Sequence, residues 1–236
     1  MNKSNVYTPI VSLLFAMLIE MASGITCYAD EYVSHVQGIV GATLWDEDDL
    51  TFTEVNDEDP SAVAESDLST MPTIGAAWWG TFHGERLAKG IEAGLLVSWM
   101  SDDASVAGSS GSGKAAVRID TSLVLLDLFF GVHLNFRLGQ NAHAYVAAGP
   151  LLMIGWADDE REEEIRSTGR TIRISESDND VGAGVYGRAG LEFGINENDS
   201  MGIGVRGLNT ELEFSEPTGE VDLKGVQVAV TYTRAL

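Results

Sequence analysis

Two acidic runs and a set of spaced histidines hold most of the groups in this chain that could do chemistry. The first run, "DEDDLTFTEVNDEDP", carries Asp46, Glu47, Asp48 and Asp49, then Asp57, Glu58 and Asp59. The second, "DDEREEE", spans Asp158 to Glu164. Carboxylate oxygens are hard ligands suited to Ca²⁺ or Mg²⁺. That makes Asp46, Asp48, Asp49, Asp57 and Asp59 candidate cation ligands. Neither run has the fixed glycine and terminal glutamate of a calcium loop. Any cation would therefore be held loosely, and the simpler expectation is a solvated, self-repelling surface. Arg161, Arg166, Arg170 and Arg173 follow in the second region and could meet phosphate oxygens.

The histidines are His35, His83, His133 and His143. If "RLGQ" closes a tight hairpin, His133 and His143 stand opposite each other, with Cβ atoms ~5 Å apart. Such a pair can bind a transition metal or perturb a titration. The local sequence offers no carboxylate or fourth ligand, so mutual hydrogen bonding among polar neighbours is the simpler expectation. Catalytic motifs are missing. The histidine contexts read "HVQ", "HGE", "HLN" and "HAY", none of them His-x-Ser, and Ser34 beside His35 would face the other way along a strand. There is no Gly-x-Ser-x-Gly and no His-Glu-x-x-His. "GSSGSGK" lacks the strand and helix that a phosphate loop requires. No enzyme is expected.

The elements that would position these groups read as strands. Apolar residues recur at every second position through eight segments. In "VQVAVTYTRAL", Val226, Val228, Val230, Tyr232 and Leu236 share one face. The clearest series is Val124, Leu126, Leu128, Phe130, Val132, Leu134 and Phe136. The opposite parity is unlike a solvated exterior: it holds glycines and isolated charges, among them Glu92, Asp127, Arg188, Glu192 and Arg206. A narrow barrel interior suits that composition, and these five residues are expected to form a cross-barrel ion-pair network. Short connections ("ERLAKG", "RLGQN", "NENDS") alternate with long polar ones (Asp46 to Pro72, Ser101 to Lys114, Ala157 to Asp180). Trp45, Trp99 and Trp156 near one end, with Tyr32 and Tyr232 near the other, suggest two interfacial aromatic girdles.

The amino terminus carries Lys3, then the apolar run Ile10 to Ile19, then small residues ending in "CYAD". That is the pattern of a secretory signal over residues 1–29, leaving 30–236 as one barrel domain. The apolar run is about half the ~20 residues a spanning helix needs. Cleavage after Ala29 removes Cys27, the only cysteine, and with it every disulfide or thiolate site. A net charge of -22 argues against a nucleic-acid partner.

Taken with these features, "YVAAGP" at Tyr145 to Pro150 and the alternating carboxyl-terminal strand resemble the small eight-stranded outer-membrane barrels of the OmpA/OmpX type. The terminal residue differs: Leu236 stands where that family usually has Phe or Trp, and Arg234 lies on the apolar parity. The resemblance implies an antiparallel transmembrane up-and-down barrel with long extracellular loops and short periplasmic turns. It implies a monomer in the outer membrane, with lipid, lipopolysaccharide and the barrel-assembly machinery as partners and no cofactor. The role it suggests is non-catalytic, in envelope integrity or surface interaction. A narrow solute pore, a soluble periplasmic ligand-binding barrel and a lipid-modifying enzyme are the alternatives.

Overall fold

The computed structural model describes residues 32–46, 51–55, 63–82, 86–110, 113–165, 170–213 and 220–236. The candidate signal, His83, and Asp48, Asp49, Asp57 and Asp59 lie outside the described residues.

Among the described residues ten strands are present: β1 (Tyr32–Trp45), β2 (Thr51–Val55), β3 (Val63–Asp67), β4 (Thr70–Phe82), β5 (Leu87–Ser110), β6 (Gly113–Arg137), β7 (Ala142–Ile165), β8 (Arg170–Gly194), β9 (Asp199–Glu213) and β10 (Glu220–Ala235). Eight of them close a barrel in the order β1-β10-β9-β8-β7-β6-β5-β4, while β2 and β3 form a separate hairpin. All barrel pairings are antiparallel. β1 pairs with both β4 and β10, so the sheet closes on itself and each barrel strand finds partners on both sides. Among the described residues, no helix is long and apolar enough to cross a membrane.

The period-two reading carries directly into burial. Val40, Ile74, Phe130, Val132, Val185, Ile203 and Val228 face outward and are exposed. Gln37, Trp79, Glu92, His133, Arg188 and Thr233 face inward and are buried. Pro150 has no N–H to donate, and the β6–β7 ladder skips the two residues across from Pro150 and Gly149.

Two expectations are changed. Trp45 belongs to the inward parity with Gln37, Ile39 and Thr43, and it is 6% exposed, so it is no part of an outer girdle. Its ring lies over Gly225, its ladder partner, where a Cβ would meet the indole at 2.6 Å. Trp99 does face outward, at 42% exposure. Second, the polar stretches expected as long connections continue as paired strand. β5 and β6 stay in register to Ser110↔Gly113, and β7 and β8 to Ile165↔Arg170. Polar composition does not stop a ladder, because backbone groups alone form it.

Candidate functional site

The inward parity collects its charges toward the end of the barrel that carries the short turns. Glu92 of β5 is the centre. Its side chain is fully buried, and its two oxygens accept from four directions. Oε1 takes the Tyr186 hydroxyl at 2.7 Å and Arg188 Nε at 2.9 Å. Oε2 takes Arg188 Nη2 at 2.5 Å and faces His133 Nδ1 at 2.8 Å. A carboxylate has about four lone-pair sites, and here each has a partner. Because an ionised carboxylate only accepts, His133 carries its proton on Nδ1.

From Arg188 the network crosses the lumen. Its Nη1 donates to Gln37 Oε1 at 2.7 Å. Gln37 Nε2 then donates to Glu192 Oε1 at 2.8 Å, which also accepts the Thr233 hydroxyl at 2.5 Å. Five strands thus meet through one connected set: β1, β5, β6, β8 and β10. A second pair lies nearer mid-barrel, where Arg206 Nη1 donates to Asp127 Oδ2 at 2.5 Å. Arg206 Nε and Nη2 have no hydrogen-bond partner among the described residues. Its guanidinium instead sits 4.8 Å from the Tyr186 ring centroid and 4.9 Å from that of Phe129. A guanidinium tolerates such stacking better than an ammonium, because its charge is spread over a weakly hydrated plane.

Aromatic rings line the same end. His35, Trp79, His133 and Tyr145 stack in sequence, with centroid separations of 5.4, 4.9 and 5.6 Å. Glycines on neighbouring strands make the room. Gly190 pairs with Tyr145, and a Cβ there would meet the tyrosine Cζ and Oη at 2.5 Å. Gly94 is likewise opposite Phe129, and a Cβ at Gly131 would run into Tyr186 Oη. A strand glycine often marks such a close approach.

All five charges expected on the lumen side, Glu92, Asp127, Arg188, Glu192 and Arg206, are buried there, in two groups rather than one. The histidine pair is corrected. The β6–β7 register sets His133 opposite Ala147 and His143 opposite Arg137, because the turn is centred on Gln140, two residues later than a His133–His143 pair requires. His133 also has a carboxylate, Glu92, supplied by another strand and invisible to local sequence. Among the described residues, no three His, Cys, Asp or Glu side chains converge as metal ligands. Asp46 is exposed at the end of β1, with its backbone N–H on the Lys224 carbonyl. The groups nearest to a catalytic set are the His133–Glu92 pair and the Tyr186 and Thr233 hydroxyls. Both hydroxyls donate to carboxylates buried inside the lumen, as members of the network just described.

Sequence reading missed Gln37, Trp79, Tyr186 and Thr233, the neutral members that join the charges. It also missed that the other half of the lumen is apolar. Leu96, Leu123, Leu125, Leu151, Met153, Leu208, Leu212 and Leu223 all point inward. Leu68 and Met71 close over them with no exposure. The signal was present wherever alternation fails, as in "LVLL", "FF" and "LLMI", since apolar residues on both parities leave the inward face apolar as well.

No family model and no curated protein matches the chain. Solved structures do. The attachment invasion locus protein Ail of Yersinia pestis is 12% identical, with 88% of this chain and 100% of that one covered and a TM-score of 0.45. The outer membrane protease OmpT of Escherichia coli is 9% identical over 89% and 99%, at 0.40. The outer membrane protein OprG of Pseudomonas aeruginosa is 14% identical over 87% and 97%, at 0.35. Likeness at this level concerns architecture alone, and the chain's own register supplies the conclusion: it is a closed, antiparallel, eight-stranded β-barrel.

Proposed function

We propose that this protein is a non-catalytic outer-membrane barrel with a plugged lumen, serving envelope integrity or surface interaction through its acidic loop end. The carrying observation is the inversion of its two faces. The outward face is a belt of exposed Val, Ile, Leu and Phe, whereas the charges are packed inside. Leaving one such side chain in water forgoes ~1.5–3 kcal/mol, and a continuous belt of them is incompatible with an aqueous exterior. In hydrocarbon the same belt is the solvent-matched surface, and closure leaves no unpaired backbone facing lipid. A soluble ligand-binding barrel would place the two faces the other way round.

Plugging is supported by the interior. The cavity lined by Ile39, Phe129, Tyr145, Arg188, Arg206 and Thr231 measures about 20 Å³, room for about one water molecule. The partners that go with this reading are lipid, lipopolysaccharide and the assembly machinery, with loosely held Ca²⁺ or Mg²⁺ at the acidic loops.

The test is cell fractionation followed by a denaturing gel of unheated and boiled envelope. We expect an outer-membrane band whose mobility changes on boiling, and no ion conductance in planar bilayers. A soluble periplasmic band without that shift would overturn the membrane reading. Steady single-channel currents from the native chain would instead favour a narrow pore.

A further inference from the structure

The hydrogen bonds inside the lumen leave two buried polar side chains incomplete. Arg206 is 4% exposed, and of its donors only Nη1 has a partner, Asp127. The guanidinium lies over the Phe129 and Tyr186 rings. Rings on its faces take none of its N–H groups, which point outward in its plane. Nε and Nη2 are therefore buried donors without acceptors among the described residues. Thr231 of β10 is 2% exposed, and its hydroxyl is likewise unpartnered there. A buried polar group left unsatisfied carries its full desolvation cost.

Both side chains line the same cavity, the space of about 20 Å³ inside the barrel. Arg188 and Gln227 are further polar walls of it. Arg188 belongs to the ionic set at the turn end, through Glu92 and Gln37. Gln227 donates to Thr43 Oγ1 at 3.2 Å, and hydroxyl contacts continue from there to Thr73 and Ser98. The cavity thus borders two hydrogen-bonded sets.

Size and charge select the occupant. The space holds about one water molecule, too little for an organic solute. A halide is the other small candidate, because two guanidiniums line the wall. Yet the buried cations Arg188 and Arg206 stand against three buried carboxylates, Glu92, Asp127 and Glu192, so no positive charge is left over for an added anion. A metal cation would face the same two guanidiniums. Water accepts from an N–H, donates to a hydroxyl oxygen and adds no charge to bury.

We propose that this cavity is the site of one structural water, which accepts from Arg206 and donates to the Thr231 hydroxyl oxygen. Its remaining hydrogen-bonding capacity faces Arg188 and Gln227, and so joins the ionic set to the hydroxyls beyond Gln227. The site rests on the plugged-lumen reading, not on the membrane reading, and it makes the solvent at mid-barrel a bound molecule rather than a file.

The experiment is relaxation dispersion of the solvent oxygen nucleus over the detergent-purified barrel, which counts long-lived waters and does not see exchanging hydroxyl protons. Each sample is also run unheated and boiled on a gel. Thr231→Val keeps the side chain's shape and removes its hydroxyl, and the count should fall by one water per barrel with the mobility shift retained. Thr231→Ser should keep the native count. Thr210→Val is the control, because its hydroxyl is also buried and unpartnered but is no part of the cavity wall. That variant should leave the count unchanged. In the native chain, an Overhauser cross-peak from water to the Arg206 Nε–H is expected, which places the water without any variant. No such cross-peak, or an unchanged count in a closed Thr231→Val barrel, would sink the site and leave the plug standing. A native count that rises when chloride buffer is replaced by sulfate would also sink it, by showing that a halide holds the space. Steady ionic currents through the native chain would remove the plugged lumen, and the site with it.

Discussion

The two halves of the lumen solve the same packing problem with different chemistry. Toward the turns, Glu92, Arg188, Gln37, Glu192 and Thr233 fill the space with directed hydrogen bonds. Toward the loops, Leu96, Leu123, Leu125, Leu151, Met153 and Leu212 fill it with apolar contact. Within the apolar half, at the level of Leu125, runs a row of hydroxyls, with Thr73 Oγ1 2.8 Å from Thr43 Oγ1 and 2.7 Å from Ser98 Oγ. The difference matters because the two fillings fail differently. An apolar filling degrades gradually as volume is lost. A buried ionic filling is all or nothing, since removing one partner leaves the other charge without compensation.

The largest effect should come from breaking the ionic half on one side only. Arg188→Met leaves Glu92 in place with Tyr186 and His133 as its remaining partners. We expect a loss of ~3–5 kcal/mol, measured by urea unfolding of the barrel in detergent. The combined variant Glu92→Gln/Arg188→Met should lose less than Arg188→Met alone. Equal losses would mean that Glu92 is not carrying uncompensated charge.

Next comes the apolar half. Leu125 is 1% exposed, and Leu125→Ala should cost ~2–4 kcal/mol in the same assay. No second-site change should rescue it as the paired variant does in the ionic half. A loss as large as that of Arg188→Met would erase the distinction between the halves. A smaller effect is expected where glycine yields space to a ring. Gly190→Ala places a Cβ 2.5 Å from Tyr145 Cζ, so the ring must shift away. We expect ~1–3 kcal/mol and altered near-ultraviolet circular dichroism from the aromatic stack.

The smallest effect lies outside the lumen, at the β8–β9 turn. Asn196 Oδ1 accepts from the Asn198 and Asp199 N–H groups there, at 2.9 and 2.8 Å. Hydrogen bonds from the Tyr232 hydroxyl and the Asn196 amide hold the Asp199 carboxyl below its ordinary value. A depressed carboxyl contributes stability above its unfolded pKa, near 3.8, and loses it as pH falls through the folded value. Tyr232→Phe should therefore change unfolding only slightly at pH 7, and the difference should vanish once pH has fallen through the folded value. An undiminished difference at low pH would show that the hydroxyl acts through something other than this carboxylate.

The sequence by itself determined the strands, their faces and the set of charges that turn inward. Period-two alternation fixes which side chains share a side, whatever the environment beyond. Val228 and Arg188 could be sorted to opposite faces without coordinates for that reason. Register and partnership were decided only in three dimensions. A turn centred two residues further along moved His143 from His133 to Arg137, and no local pattern records so small a slip. Glu92 meets Arg188 across 96 residues, and Gln37 meets Glu192 across 155. Contacts between strands so distant in sequence exist only once the barrel closes. The neutral residues that complete the network carry no charge to betray them. The apolar half of the lumen was written in the doubled apolar positions of β6 and β7. Its meaning emerged only when the inward parity was seen to be packed among the barrel's own side chains.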